Sequence, residues 1–250
     1  VNLSVKKGEI LSILGENGSG KTTLMNMISG IYFPDEGSIL VDGKEVTIRS
    51  PKDAFDLKIG MIHQHFKLVD VFSGTENIVL GMRNKKFNIK KAHQEIKETC
   101  DKYGFEIDLS KKIYDLSVSE KQTIEIVKVI YKGADILILD EPTAVLTPQE
   151  IEDLIKIMKN LIKEGKSIIL ITHKLKEIKE AANRCTVIRR GKYIGTVDVK
   201  ETSEAEMARM MVGRQVSFKV DKKEANPGEV VLKLDNVSVK NNKKVLGLKN

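Results

Sequence analysis

The chain has 250 residues, of which 41% are hydrophobic and 31% are charged, enough for one large domain or two small ones with a real core. No apolar run approaches the roughly 18 residues that a transmembrane helix requires, and the two cysteines, too few for a disulfide framework or a metal cluster, favour a reducing compartment. The formal net charge of +7 comes from basic residues interleaved with acidic ones, which favours a solvated surface over a nucleic-acid or anionic-membrane partner.

The two ends of the chain predict a position within a longer protein. Residues 1–5 alternate apolar and polar side chains, as a strand does. The first residue is Val rather than Met, and residues 248–250 end without a helix or a cap. We therefore expect this sequence to be part of a longer protein.

Residues 15–22, Gly-Glu-Asn-Gly-Ser-Gly-Lys-Thr, fit the phosphate-binding pattern G-x-x-x-x-G-K-[ST]. They lie between a predicted strand at residues 9–14 and a predicted helix at residues 23–31. Glycines let successive backbone N–H groups face a phosphate, and a helix N-terminus adds a positive dipole end. A simple Gly/Ser-rich turn is disfavoured because strand, loop and helix come in the required order. The predicted ATP-binding residues are Gly15, Glu16, Asn17, Gly18, Ser19, Gly20, Lys21, Thr22 and Thr23.

Strands and helices alternate along the rest of the chain, which predicts an α/β fold with parallel strands. Residues 66–131 are mostly charged and helical in pattern, and they predict an inserted helical lobe. The remaining predicted elements are a hairpin at residues 38–41 and 45–48, strands at 59–63, 135–140 and 167–172, helices at 148–163, 174–182 and 203–212, and two strands within 186–199.

Polar side chains end three of the predicted strands. Asp140 can hold Mg²⁺ through a metal-bound water, and Glu141 can polarise an attacking water. Gln64 can reach both the metal and that water, and a neutral His173 can bond the γ-phosphate. Each has an ordinary alternative: the acidic pair can cap the next helix, Gln64 can be a polar loop residue, and His173 can be structural.

These motifs together resemble the ATPase domains of ABC transporters. The phosphate loop, Gln64, Leu116-Ser117, the run Ile-Leu-Ile-Leu-Asp-Glu-Pro-Thr at 136–143 and Thr172-His173 occur in the family's order. The resemblance covers residues 1 to about 215. The sequences at 63–66 and 140–150 look like the first domain of the tandem ATPases of simple-sugar and nucleoside importers, and are most similar to the nucleoside branch.

The resemblance implies a P-loop NTPase core of ABC ATPase type with an antiparallel β subdomain and an inserted helical subdomain. It implies ATP and Mg²⁺ as cofactors and two domains that close around two ATP molecules. The roles that it implies are catalysis by Glu141, His173 and Gln64, metal binding by Thr22, Gln64 and Asp140, and contact with the partner domain's ATP by the signature residues Ser117, Val118, Ser119 and Glu120.

The resemblance further implies an ATP-hydrolysing subunit at the cytoplasmic face of a membrane, peripheral to it. Its partners would be transmembrane permease subunits, a second ABC ATPase domain and, indirectly, an external solute-binding protein, with no nucleic acid. The transported solute would be a nucleoside or a simple sugar. Two alternatives stay open, namely a non-transport ABC ATPase that acts on ribosomes or DNA, and a nucleotide-binding half with little turnover.

The signature departs from the family pattern. The family has Leu-Ser-Gly-Gly-Gln, whereas residues 116–120 are Leu-Ser-Val-Ser-Glu. Ser119 replaces a glycine that permits close approach of backbone N–H groups to the γ-phosphate. Thr123 also stands where an arginine is usual. Thr147 stands where the wider family has an aspartate, and the subgroup shares this departure. We expect a weakened signature face.

The last part of the chain resembles the opening of a second ABC domain. Residues 216–228 predict a linker, and residues 229–239 predict an alternating strand that starts this second domain at 229–250. In such domains the aromatic residue that stacks on adenine precedes the position of Val1. The segment can also fold back, in cis or between chains, to supply first strands for residues 1–215.

Overall fold

The computed structural model of the chain describes residues 1–82, 88–214, 227–240 and 246–248. These residues fall into two compact units, Val1–Val216 and Ser217–Asn250. No helix among these ranges is long and apolar enough to cross a membrane. The larger unit carries the predicted site.

A six-stranded sheet organises the larger unit. Five neighbouring strands run parallel in the order β4-β5-β6-β1-β7, and β8 pairs antiparallel with β7 at the edge. A separate antiparallel hairpin pairs β2 with β3. The strands are β1 (Ile10–Leu14), β2 (Ile39–Val41), β3 (Lys44–Val46), β4 (Ile59–Ile62), β5 (Ile136–Asp140), β6 (Ser167–Ile171), β7 (Arg184–Arg189) and β8 (Lys192–Asp198).

The central strands form because their side chains are apolar on both faces. All residues of β1 and β6 are buried, as expected for parallel strands covered on two sides. Alternation sends neighbours to opposite faces, so Leu137 and Leu139 join the larger core cluster while Ile138 joins the smaller one. This arrangement agrees with the predicted α/β fold.

The described part of the larger unit also contains eight α-helices and a short 3-10 helix at Ile113–Asp115. Capping boxes start α3, α5 and α6, in which Ser73, Ser117 and Thr147 exchange hydrogen bonds with a glutamate three residues later. The helices are α1 (Lys21–Ile28), α2 (Pro51–Asp56), α3 (Gly74–Val79), α4 (Ile89–Tyr103), α5 (Val118–Tyr131), α6 (Pro148–Lys163), α7 (Leu175–Ala181) and α8 (Glu204–Val212).

The inserted lobe consists of α3, α4 and α5, which pack against one another. Its helices begin at Gly74 rather than near residue 66, and the chain before them forms a loop.

The boundary of α1 also differs from the prediction. That helix starts at Lys21, directly after the left-handed Gly20, and ends before Gly30, which has a φ of 75°.

The predicted strand at residues 1–5 is absent from the larger unit, where the first strand starts at Ile10. Alternation alone is insufficient because a strand needs a neighbour for its backbone N–H and C=O groups. Leu3 and Val5 instead pack as half-buried side chains against the smaller core cluster. The alternation of apolar and polar residues therefore predicts that Leu3 and Val5 are partly buried, but it does not predict their backbone conformation.

In the smaller unit, β9 (Val239–Lys240) pairs antiparallel with β10 (Leu246–Leu248). The predicted strand at 229–239 is therefore wrong for all but its last residue. Residues 229–238 have no strand partner among the described residues, and Val231 is 98% exposed. Of the predicted linker at 216–228, residues 216–226 lie outside the described residues.

Candidate nucleotide-binding site

The order of the sheet brings the predicted polar residues to one edge. Because β5, β6 and β1 are parallel neighbours, their carboxyl ends lie side by side. The phosphate loop follows β1, Asp140 ends β5 and Glu141 follows it, and His173 comes two residues after β6. Such an edge of an open parallel sheet is where ligands bind in α/β proteins.

The phosphate loop adopts the conformation that its glycines permit. Gly18 and Gly20 have φ values of 77° and 97°, which L side chains rarely adopt. The Ser19 N–H donates to the Glu16 carbonyl at 3.1 Å, and the Gly191 N–H of the β7–β8 turn donates to the Ser19 carbonyl at 3.0 Å. The loop therefore leads directly into the N-terminus of α1 and is supported from the β7–β8 turn.

Lys21 lies within this loop. It is 6% exposed, and its Nζ donates to the carbonyl oxygens of Gly15 at 2.7 Å and Glu16 at 3.0 Å. Burial lowers the pKa of Lys21, and the negative charges of Glu141 and Asp140 oppose that shift. A phosphate oxygen is a stronger acceptor for this ammonium group than two neutral carbonyls.

Thr22 and Asp140 form an oxygen pair between α1 and β5. The Thr22 hydroxyl donates to Asp140 Oδ2 at 3.3 Å. Burial raises the pKa of Asp140, and the bond from Thr22 partly offsets that rise. A carboxylate and a hydroxyl fit Mg²⁺, which takes its other ligands from water and nucleotide phosphates. Among the described residues, no group of three or more His, Cys, Asp or Glu is placed to hold a metal ion.

Glu141 and His173 are in direct contact. Their Oε1 and Nδ1 atoms are 2.9 Å apart. Glu141 has a left-handed φ of 48°, and such strain in a non-glycine residue is common at functional sites. Its other oxygen, Oε2, is buried and has no hydrogen-bond partner within the described ranges. The His173 contact therefore orients the carboxylate through one oxygen, and the other oxygen is left without a protein donor among the described residues.

Gln64 makes no hydrogen bond to Asp140, Glu141 or His173 among the described residues. It lies two residues beyond the end of β4, at the edge of the sheet, and its side chain is exposed. Burial and the charge of Lys67 lower the pKa of its neighbour His63, and the charges of Glu125 and Asp140 oppose that shift. The catalytic and metal-binding roles of Gln64 stay predictions.

The signature residues make their hydrogen bonds elsewhere. Ser117 and Glu120 cap α5 reciprocally, with the Ser117 N–H donating to Glu120 Oε2 at 2.7 Å. Ser119 is half-buried and Val118 is 42% exposed. In the described residues, no hydrogen bond joins these four positions to the phosphate loop, Asp140 or Glu141, and their contact with the ATP of a partner domain stays a prediction.

Comparison with known proteins decides the family. The chain matches the profile described as ABC transporter over residues 1–144, more than half of its length. This protein belongs to the ABC transporter ATP-binding family. The match confirms the resemblance inferred from the motifs and their order.

Two curated members of the family are import proteins. Nucleoside import ATP-binding protein NupA of Lactococcus lactis subsp. cremoris is 53% identical over 252 residues, which cover 100% of this chain and 50% of NupA. Guanosine import ATP-binding protein NupO of Bacillus subtilis is 56% identical over 243 residues, which cover 96% of this chain and 48% of NupO. The chain therefore spans about half the length of the curated relatives that it matches.

Solved structures give the same fold. The cassette cbiO1 of Clostridium perfringens, part of the ABC transporter complex cbiONQ, aligns with a TM-score of 0.71 at 30% identity, over 80% of this chain and 81% of that one. An ATP-binding cassette of an ABC transporter in its ADP conformation aligns with a TM-score of 0.73 at 22% identity, over 85% and 87% of the two chains. The predicted ABC ATPase fold is thereby confirmed.

The ABC cassette also contains a supporting residue that the motifs did not indicate. Glu177 of α7 is 6% exposed, and its Oε2 accepts hydrogen bonds from Thr143 Oγ1 at 2.7 Å and Thr172 Oγ1 at 3.0 Å. These two threonines follow Glu141 and precede His173, respectively. Glu177 therefore ties together the segments that carry the Glu141–His173 pair. A glutamate in a charged helix gives no sequence signal of this role.

We expect Glu177→Ala to destabilise the cassette by about 1–3 kcal/mol, because two buried hydroxyl groups lose their acceptor. Urea unfolding followed by circular dichroism measures the change. The matched control is Glu180→Ala, which removes an exposed carboxylate from the same helix. Equal unfolding midpoints for the two variants would contradict the supporting role of Glu177.

Gly15 has no room for a side chain. A Cβ atom at this position would lie 2.4 Å from the carbonyl oxygen of Ile188 and 2.4 Å from Ser19 Oγ. We expect Gly15→Ala to lower the free energy of unfolding by about 1–3 kcal/mol and to weaken ATP binding, because the loop has to shift. Gly228→Ala, at an open position without a positive φ, is the control for guanidinium unfolding. An unaltered midpoint and ATP affinity for Gly15→Ala would show that the loop tolerates the methyl group.

Proposed function

We propose that this chain binds ATP with Mg²⁺, hydrolyses it, and thereby energises an ABC importer for nucleosides or simple sugars. One observation carries the enzymatic part: the sheet edge brings Lys21, Thr22, Asp140, Glu141 and His173 into one cluster. In this cluster Lys21 would bind phosphate, Thr22 and Asp140 would bind the metal, and Glu141 would activate the water. The catalytic and binding assignments of these residues are part of the proposal.

In this proposal the loop N–H groups and the Lys21 ammonium bind the phosphates. Thr22 and Asp140 would hold Mg²⁺, which neutralises the phosphate charge when bound. Glu141 accepts a proton from the attacking water, whose oxygen bonds to the γ-phosphorus as the bond to the ADP oxygen breaks. His173 orients Glu141 through the 2.9 Å contact between their side chains.

The transport part rests on the relatives. NupA and NupO are named for nucleoside and guanosine import, and other relatives that this chain matches are named for glucose and ribose import. By analogy, we infer permease subunits, a second ABC ATPase domain and an indirectly coupled external solute-binding protein as partners. The cassette would sit peripherally at the cytoplasmic face of the membrane.

The domain organisation is also part of the proposal. We infer an ABC nucleotide-binding domain at residues 1–215, a linker at 216–228 and the opening of a second ABC domain at 229–250. Two features support it: the chain spans about half the length of its import relatives, and its two compact units meet in sequence at Val216.

The experiment that tests the transport function uses the full-length protein purified with its neighbour-encoded permease and inserted into lipid vesicles. We expect ATP hydrolysis to rise when a solute-binding protein loaded with a nucleoside or simple sugar is added, and to be unaffected by RNA or DNA. Stimulation by nucleic acid without any effect of the permease would contradict the importer function and favour a non-transport ATPase.

A further inference from the structure

Side chains of the inserted lobe bind the backbone of the segment that follows Gln64. Glu125 of α5 is 4% exposed, and its Oε1 accepts a hydrogen bond from the Lys67 N–H at 2.6 Å. Lys128 Nζ donates to the Lys67 carbonyl oxygen at 3.4 Å. Both main-chain groups of Lys67, three residues beyond Gln64, are therefore bonded to one helix.

Glu125 and Lys128 also form an ion pair with each other. They lie three residues apart on α5, Glu125 Oε2 is 2.5 Å from Lys128 Nζ, and their side chains are 6% and 16% exposed. A buried carboxylate is stable as an ion only when its oxygens have donors, and here each oxygen has one. We call these two side chains, together with the Lys67 backbone that they hold, the Glu125 clamp.

A second residue of the lobe fixes the same segment. Asn77 of α3 is 2% exposed, its Oδ1 accepts from the Val69 N–H at 2.7 Å, and its Nδ2 donates to the Val69 carbonyl oxygen at 3.1 Å. Leu68 lies between the two fixed residues and packs against the larger core cluster. Residues 67–69 are therefore held by side chains of both α5 and α3.

The clamp limits the conformations open to Gln64. Only residues 63–66 connect the end of β4 at Ile62 to Lys67, so Gln64 lies in a short loop that is fixed at both ends. Without the clamp, the next hydrogen-bonded anchor is Val69, and the free segment grows to residues 63–68. A longer free segment has more conformations, and a reacting group that is displaced by about 1 Å can cost about 100-fold in rate.

We propose that Glu125 is a positioning residue for Gln64. By holding the Lys67 backbone, it fixes the end of the loop from which Gln64 would reach Mg²⁺ and the attacking water. This inference deepens the proposed function and rests on it, because it supposes that Gln64 has a nucleotide-bound metal to reach. Glu125 acts through the backbone and needs no contact of its own with the nucleotide.

The first measurement is hydrogen exchange at the Lys67 amide in the full-length protein without nucleotide, followed by mass spectrometry with fragmentation. We expect slow exchange, and an acceleration of about 10- to 100-fold in Glu125→Ala, which loses a hydrogen bond to a charged group. Tyr131→Phe is the matched control, because it removes a 2.8 Å bond from α5 to Glu95 of α4 and leaves the loop alone.

The exchange of the unmodified protein already decides whether the clamp exists, even where Glu125→Ala does not fold. The His65 amide has no hydrogen-bond partner among the described residues and is the internal reference. Exchange of the Lys67 amide as fast as that of His65 would overturn the proposal.

The second measurement is steady-state ATP turnover by the full-length protein at varied ATP and Mg²⁺ concentrations. We expect Glu125→Ala to lower kcat by about 10- to 100-fold and to raise the Mg²⁺ concentration for half-maximal turnover, with KM for ATP unchanged. Glu125→Gln, whose amide oxygen can still accept from the Lys67 N–H, is expected to restore most of kcat, and Tyr131→Phe to change neither quantity. An unaltered Mg²⁺ dependence in Glu125→Ala would indicate a merely structural role and overturn the proposal.

A double-mutant cycle with Gln64→Ala tests whether Glu125 acts through Gln64. We expect Gln64→Ala to lower kcat, and Glu125→Ala to add little to that loss when both substitutions are combined. Fully multiplied losses, or normal turnover by Gln64→Ala, would overturn the proposal. Absence of turnover by the unmodified protein would instead contradict the proposed function, so the two failures are distinguishable.

Discussion

Replacement of Glu141 by Gln is expected to lower ATP turnover by about 100- to 10,000-fold while ATP remains bound. The amide keeps the size of the carboxylate and the contact with His173 but cannot accept a proton from water. Oε2 of Glu141 has no hydrogen-bond partner in the described part of the chain, so we propose it as the oxygen that accepts the proton once the nucleotide and the water are bound. The effect therefore falls on the chemical step rather than on binding.

Steady-state phosphate release and retention of radiolabelled ATP measure the two parts of this prediction. Glu180→Gln, the same change at an exposed position of α7, is expected to behave like the unmodified protein. Turnover by Glu141→Gln within a factor of a few of normal would exclude Glu141 as the general base.

Replacement of Lys21 by Ala is expected to weaken ATP binding by about 10- to 100-fold, equivalent to roughly 1.5–3 kcal/mol for hydrogen bonds from a charged group. Lys21 is the buried cation of the loop, and its Nζ already lies within 3.0 Å of two loop carbonyls. Without it, only the neutral backbone N–H groups of the loop can donate to the phosphates. We expect turnover to fall because less ATP is bound.

Titration of a fluorescent ATP analogue, with and without Mg²⁺, measures the loss of affinity caused by Lys21→Ala. Lys159→Ala, which removes an exposed ammonium group from α6, is the matched control because it changes net charge equally. Equal affinities of the two variants would show that the phosphates bind elsewhere than at this loop.

The site could be predicted where its signal is local in sequence. The phosphate loop combines strand, glycines and helix start within about 20 residues, and the buried apolar run before Asp140 marks β5 without any knowledge of its neighbours. The edge on which these residues meet also follows, since parallel strands place their carboxyl ends together. The predicted cluster of Lys21, Thr22, Asp140, Glu141 and His173 thus rests on local patterns.

Other features depend on partners distant in the sequence. Glu177 contacts Thr143 across 34 positions, and no motif links the two residues. Residues 1–5 and 229–238 show how alternation fails for the same reason. Their pattern predicts strands, but a strand forms only where another chain segment pairs with it.

We propose above all that Lys21, Thr22, Asp140 and Glu141 form a site that hydrolyses ATP. The most direct test is ATP hydrolysis by this chain, alone and mixed with the proposed second ABC ATPase domain, with Glu141→Gln as the comparison. We predict turnover in the mixture that requires Mg²⁺ and disappears in the variant. Nucleotide binding without turnover in either sample, or turnover that survives Glu141→Gln, would contradict the claim.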